Sequence, residues 1–377
     1  MRFIDEFRSS AVAHALAARI QEKKVRPVNL MEVCGTHTVA IFKHGIRQFL
    51  PEKVNLLSGP GCPVCVTPNA DIDKAIALAQ NAGVILTTFG DMLKVPGSYS
   101  SLHQVKAAGA DVRVVYSVLD ALRIAQNNPH KSVVFFGVGF ETTAPTTASA
   151  ILEAERLGID NFFFLSVHKL IPPAMRALLD SNEVHIDGFI CPGHVSTIIG
   201  SQAYEFIPIF YRVPCVIAGF EPLDILQAID MLLEQIGAEK PRVEIQYRRA
   251  VRWEGNPVAL RQMNTVFEVT ESTWRGIGLI PWSGLRLCQG YERFDAERAF
   301  KIVSRPPKEA KGCRCGDILR GSCTPPDCHL FAKACRPEHP VGPCMVSTEG
   351  TCSAWYLYGE GSQGSGTSRR VANNMPS

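Results

Sequence analysis

Two short glycine-bearing loops carry the residues most capable of chemistry. Cys34 and His37 form a C-x2-H pair within CGTHT, and Cys62 and Cys65 form a C-x2-C pair within SGPGCPVCVTPN (58–69). Together they offer three sulfurs and one imidazole to a metal, or a dithiol that cycles with a disulfide. Gly59, Pro60 and Gly61 let the second loop turn sharply and approach a bound group. Cys62 and Cys65 fall near the start of a helix-like stretch, where aligned amides are expected to ease thiolate formation. One arrangement is a closed Cys3His zinc site. The other divides the work: Cys34 binds a metal with an open position, while Cys62 and Cys65 act as a redox pair. An ordinary turn with two buried cysteines is the bland alternative. Thr36 fits an N-cap for the helix that follows, and His44 is expected to face solvent.

A second concentration of sulfur lies at the other end. Seven of the thirteen cysteines fall in the last 65 residues. Cys315, Cys328, Cys335 and Cys352 give C-x12-C-x6-C-x16-C, with Cys323 as a substitute for Cys315 and with Cys313 and Cys344 as spares. Wide spacings with intervening prolines suit a [4Fe–4S] cubane, because no short paired knuckles are present for zinc; zinc stays the alternative. Structural disulfides are not expected in a reducing compartment.

Three further residues stand in motifs after strand-like runs: Glu141 in GVGFETTAP, His194 in PGHVS and Glu221 in GFEP. Each is a candidate for acid–base work or partner docking, and each could instead serve a helix start. GVGFETTAP imitates a dinucleotide fingerprint, but a carboxylate where a pyrophosphate needs amides argues against nucleotide binding. There is no P-loop.

These residues need a scaffold, and the chain is long enough to supply one. Its 377 residues are 46% hydrophobic and 20% charged, and imply two or three domains. A formal charge of +3 without a basic run interleaved with aromatics argues against nucleic acid. No run approaches the roughly 18 apolar residues of a membrane span. MRFIDEFRSS lacks a secretory core, so a cytoplasmic protein is expected.

Short apolar runs at 28–33, 54–57, 84–89, 112–116, 133–138, 162–167, 188–191 and 213–218 alternate with helix-like stretches. Such alternation predicts α/β architecture with mostly parallel sheets buried on both faces. We expect two doubly wound domains facing a cleft, 1–128 and 129–255, with the QNNPHK segment (126–131) as the crossing, although re-entry of the chain between them stays open. A cysteine-rich iron–sulfur region spans 256–358, and a disordered tail 359–377. Further along the chain 244–251 is expected as a strand, 260–269 as a helix and 274–281 as irregular. GPGC (59–62) echoes CPGH (191–194), and GFE recurs at 139–141 and 219–221, compatible with two similarly wound halves. Nearly every reactive residue follows a strand's carboxyl end, the edge where open α/β sheets bind ligands.

Taken together, MRFIDEFR, MEVCGTHT, GPGCPVCVTP, TFGDMLKVPG, GFETTAPTTA, PGHVSTIIG, GFEPLDILQ, QYRRAV and MVSTEGTC give the chain a strong resemblance to the HypD family of hydrogenase maturation factors. The resemblance spans nearly the whole length. It implies a scaffold for assembling the Fe(CN)2CO part of the [NiFe]-hydrogenase site, working with a small HypC-type chaperone and a HypE-type cyanide donor. It also implies a C-terminal [4Fe–4S] cluster, iron held on Cys34 jointly with a partner cysteine, and iron binding and thiol redox work at Cys62 and Cys65. His37 matches the histidine of the family's CGxH motif. Where family members often carry a second histidine two residues later, this chain has Val39. Residue chemistry alone also admits a stand-alone thiol-disulfide or iron–sulfur oxidoreductase acting on a small molecule, or a zinc-stabilised binding protein.

Overall fold

Eight short apolar runs become parallel strands because their side chains find helices to pack against, and the half-buried segment Val243–Ile245 adds a ninth. In the computed structural model, which describes residues 9–359, they are β1 (Val28–Glu32), β2 (Val54–Ser58), β3 (Val84–Thr88), β4 (Val112–Val114), β5 (Ser132–Gly139), β6 (Phe162–His168), β7 (Gly188–Pro192), β8 (Cys215–Ala218) and β9 (Val243–Ile245). The opening MRFIDEFR motif and all but the first residue of the expected tail lie outside the described residues.

The strands form two all-parallel sheets, β2-β1-β7-β8-β9 and β4-β3-β5-β6. Counted in order of appearance within each sheet, both begin 2-1-3-4. The echo between GPGC and CPGH, and between the two GFE segments, is thus matched by a repeated winding order. Alternation places Leu30, Ile190 and Val216 on one face of the first sheet, and Met31, Phe189 and Ile217 on the other. In the second sheet, Ile85, Phe135 and Phe164 oppose Leu86, Phe136 and Leu165. The faces bearing Met31 and Leu86 belong to one continuous core, so the sheets share buried surface.

The expected division at 128/129 does not match the sheets. β3 and β4, before that point, pair with β5 and β6 after it, and the whole second sheet is inserted between β2 and β7. The segment 126–131 merely joins helix Val118–Asn127 to β5. Backbone carbonyls in and beside it are held by Asn161, whose side-chain amide donates to those of Ala125, Asn128 and Lys131 at 2.9–3.0 Å.

The region 256–358 also divides. Helix Pro257–Val266 leads into an antiparallel hairpin, β10 (Phe267–Trp274) and β11 (Gly278–Leu287), where an irregular segment was expected. The turn depends on Gly276 and Gly278, both at positive φ. The hairpin buttresses β6: Leu170 donates its amide to the Ser283 carbonyl at 2.9 Å, and buried Lys169 donates to Ser272 Oγ and the Thr273 carbonyl, each at 2.8 Å. The cysteine-rich stretch from Cys313 is a separate set of short helices and turns. Helix Ser10–Glu22 lies on helix Pro222–Gly237, where Lys23 Nζ meets Asp230 at 2.8 Å, so it belongs to the outer layer of the first sheet. Among the described residues no helix is long and apolar enough to cross a membrane.

Candidate metal centre

In a 2-1-3-4 sheet the winding reverses between its first and third strands, and loops leaving that point diverge to open a crevice. The reversal lies between β1 and β7 in one sheet and between β3 and β5 in the other. Loops from both points line a single cavity of about 480 Å³: Cys34 and His194 on one side, Asp91 and Thr142 on the other. Glu349, from the cysteine-rich end, completes the wall, and Tyr116, 95% exposed, stands at the mouth.

Cys34 ends the extended segment after β1 and is the N-cap of helix Gly35–Lys43. Its sulfur faces the backbone N–H groups of Thr36 and His37. The cysteine's own N–H donates to Glu32 Oε2 at 2.9 Å, and the Thr38 hydroxyl donates to Glu32 Oε1. The second loop is pressed directly on the first. Gly35 N–H donates to the Gly61 carbonyl at 3.0 Å, and a Cβ on Gly61 would stand 2.1 Å from the Cys34 nitrogen. On the other side the Thr36 hydroxyl donates to Glu349 Oε1 at 2.6 Å.

Burial governs the charges. It pushes the Cys34 thiol up to about 12, with Glu349 and Glu32 adding to the effect and the Thr36 and His37 amides opposing it. Burial likewise lifts the Glu32 carboxyl to about 8. At neutral pH both groups hold their protons, so a divalent cation at Cys34 would have to displace the thiol proton.

His37 is close by but not on the cavity wall. It is fully buried, its Nε2 lies 2.9 Å from the Gly219 carbonyl and therefore carries the proton, and burial lowers its pKa to about 4. Its ring stacks on Phe220 at 5.0 Å, and His194 stacks on that same ring at 3.9 Å. The layered rings set His194 on the wall. Glu141 and Glu221 do not reach it. Buried Glu141 accepts the Ile171 N–H at 2.9 Å, at the start of helix Ile171–Ser181, and burial raises its pKa to about 8. Glu221 immediately precedes helix Pro222–Gly237 and gives its N–H to Asp224. Both glutamates sit at helix starts.

Cys62 and Cys65 turn away from the cavity, which Pro63 and Val64 line instead. Cys62 caps the four-residue helix Pro63–Val66 and accepts the Cys65 N–H at 3.4 Å. Cys65 is fully buried, and its thiol is pushed well up by burial. The expected easing of thiolate formation is thus reversed at this position: one helical turn supplies little field, and desolvation outweighs it. Among the described residues no three His, Cys, Asp or Glu donors converge on a single-ion site, so Cys34, His37, Cys62 and Cys65 do not close a Cys3His cage here.

What Cys65 faces is the other cysteine group. Helix Pro343–Val346 packs on Pro63–Val66, bringing Cys344 within hydrogen-bonding reach of Cys65. The Cys344 and Cys315 sulfurs are 2.6 Å apart. Cys313, Cys315, Cys328, Cys335, Cys344 and Cys352 line one small cavity whose other walls are Ile318, Leu330, Phe331, Met345 and Gly342. The donors are sulfur alone in an apolar shell, and Cys335 Sγ accepts the Val341 N–H at 3.3 Å. Such a set fits an iron–sulfur cubane, whose sulfurs are tuned by backbone donors. Of the expected ligands, Cys315, Cys328, Cys335 and Cys352 are brought together, and the spares Cys313 and Cys344 join them. Cys323, the substitute, lies outside. Sequence reasoning missed Glu32 and Glu349. Glu349 stands 313 positions from its partner Thr36, and only its place between Cys344 and Cys352 in MVSTEGTC hinted at a role.

Comparison with known proteins bears directly on this arrangement. Residues 11–359 match the family model HypD, described as "Hydrogenase formation hypA family". The chain is 50% identical over 368 residues to the hydrogenase maturation factor HypD of Azotobacter vinelandii, covering 95% of this chain and 97% of that one. It is 47% identical over 366 residues to HypD of Escherichia coli K12 (95% and 98%), and 48% over 370 residues to HypD of Cupriavidus necator (95% and 97%). A family model covering nearly the whole chain, and relatives this similar along their full length, show that the chain belongs to the HypD family of hydrogenase maturation factors.

Proposed function

We propose that the chain is a cytoplasmic scaffold on which the Fe(CN)2CO moiety of [NiFe]-hydrogenase is assembled, with Cys34 as its own anchor for the iron. The observation that carries this is the position of Cys34 at a cavity walled by the winding-reversal points of both sheets. A thiol held protonated by burial adds no charge of its own until iron(II) arrives, and the soft thiolate formed then leaves the ion's other positions free for strong-field ligands. A HypC-type chaperone supplies a second thiolate through the mouth beside Tyr116, and a HypE-type partner delivers cyanide there. His194, fixed by its stack on Phe220, and Thr142 offer polar contacts to the incoming ligands.

Division of labour between the sulfurs follows from their directions. Cys62 and Cys65 sit behind the Cys34 loop and act as the redox pair, in which a disulfide takes up two electrons and two protons to give two thiols. A [4Fe–4S] cluster bound in the sulfur-lined cavity supplies electrons singly. Cys315, Cys328, Cys335 and Cys352 would hold it, with Cys344, whose sulfur lies 2.6 Å from that of Cys315, on the side that faces Cys65.

Cys34→Ala tests the reading. The variant, purified without oxygen, should keep its cluster iron and sulfide but fail to support hydrogenase maturation and fail to retain the additional iron. Maturation at the wild-type level would refute the anchoring role.

A further inference from the structure

A second cavity, also about 480 Å³, shares no residue with the Cys34 cavity and borders the sulfur-lined one, with Cys313, Cys315 and Gly342 common to both walls. Its lining carries five cations, Arg275, Lys308, Lys311, Arg314 and Arg320, against two carboxylates, Glu309 and Asp317. That local excess equals the formal charge of the entire chain.

The cations are of two kinds. The arginines are committed internally. Arg275, buried, donates to the Thr67 carbonyl, Asn69 Oδ1 and Glu309, while Arg314 and Arg320 both pair with Asp317 and Arg320 also with Glu183 at 2.7 Å. Both carboxylates are thereby neutralised. Among the described residues Lys308 and Lys311 have no carboxylate partner. They lie on the exposed stretch 301–311, KIVSRPPKEAK, which is pinned in place: Tyr99 Oη donates to the Pro306 carbonyl at 3.0 Å, and Lys308 N–H donates to Ser98 Oγ at 2.8 Å. Arg305 and Lys308 lie over the Tyr99 ring at 5.3 and 5.1 Å. The result is a fixed rim of exposed positive charge above a wall that ends on cluster cysteines. Saturated guanidinium groups do not chelate a small anion, whereas exposed lysines on a rigid rim project a field over a wide area.

We propose that this rim is the docking face for a small, acidic one-electron carrier protein that reduces the cluster through the Cys313/Cys315 wall. The inference rests on the reading that the sulfur-lined cavity holds an iron–sulfur cluster. Each encounter oxidises the carrier by one electron and reduces the cluster by one, with no bond made or broken. Two encounters provide the electron pair that, with two protons from solvent, converts one disulfide to two thiols.

The test uses the full chain, purified without oxygen, and a reduced acidic [2Fe–2S] ferredoxin as probe, with a reduced basic c-type cytochrome as the charge-opposite control. Lys308→Glu/Lys311→Glu should retain wild-type iron, sulfide and visible absorbance. At low salt the rate of oxidation of ferredoxin should fall about tenfold, and the difference should vanish at high salt. The cytochrome should bind the variant more tightly, a gain that no folding defect produces. Equal ferredoxin rates for both proteins at low salt, or a wild-type rate indifferent to salt, would overturn the docking face. Wild-type protein free of iron and sulfide would instead overturn the cluster reading beneath it.

Discussion

Gly61→Ala perturbs the contact between the two sulfur-bearing loops without touching a sulfur. The added Cβ would stand 2.1 Å from the Cys34 nitrogen, 2.3 Å from the Val33 carbonyl carbon and 2.4 Å from the Cys34 Cα. All three are backbone atoms, so nothing can rotate aside, and ordinary contact requires the loops to part by about 1 Å. The Gly35 to Gly61 hydrogen bond is lost with that movement, and the strain costs about 1–3 kcal/mol. A displacement of this size at a reacting centre lowers rates by about 100-fold. Gly90→Ala, on the wall of the same cavity, meets only Val114 Cγ1 at 3.7 Å and serves as control. Each variant would be introduced into a strain lacking its own copy, and hydrogenase activity compared with the melting temperature and cluster content of the purified chain. The expected pattern is loss of maturation with an intact cluster for Gly61→Ala, and wild-type behaviour for Gly90→Ala. Normal maturation by Gly61→Ala, or equal failure of both, would refute the view that close approach of these loops shapes the iron site.

Cys323→Ser should leave iron and sulfide per chain unchanged, whereas Cys328→Ser should lose most of both; matched losses would show that the wall of the sulfur cavity is wrongly drawn. Glu141 keeps its proton in the fold up to about pH 8, while the unfolded chain ionises near the ordinary carboxylate value of 4.5. Its contribution is therefore complete below that value and is lost as pH rises through the window, by about 1.4 kcal/mol per unit. Glu141→Gln removes this loss, so its stability relative to wild type should improve by about 3 kcal/mol between pH 5 and pH 7. Parallel pH–melting curves for the two proteins would count against a neutral buried carboxyl.

The strands were legible because burial on both faces demands short uninterrupted apolar runs, and each expected run from Val28 to Ala218 overlaps an observed strand. Their grouping was not. Parallel pairing of Leu30 with Gly188 leaves no local trace in either segment, so the insertion of one sheet into the other could not be read along the chain. The hairpin over 267–287 was hidden by its glycine-containing turn and polar outer face. At the site, loop chemistry after β1, β2 and β7 was visible, since reactive side chains need the open edge of a sheet. Direction was invisible: nothing in C-x2-C says that Cys65 faces Cys344 rather than Cys34. The thiol expectation failed for the same reason, because burial belongs to the tertiary structure and outweighs the local helix start.

Glu349 closes over Gly35 while riding on the short segment between Cys344 and Cys352. Helix Thr351–Tyr358, continuing from it, packs on the helix that Cys34 begins, with Trp355 against Phe42 at 5.0 Å. Glu349 thereby reaches the front pocket, and Trp355 the helix beside it, from the same segment that carries Cys344 and Cys352. One short stretch of chain thus ties the sulfur-lined rear of the molecule to the wall of its front pocket.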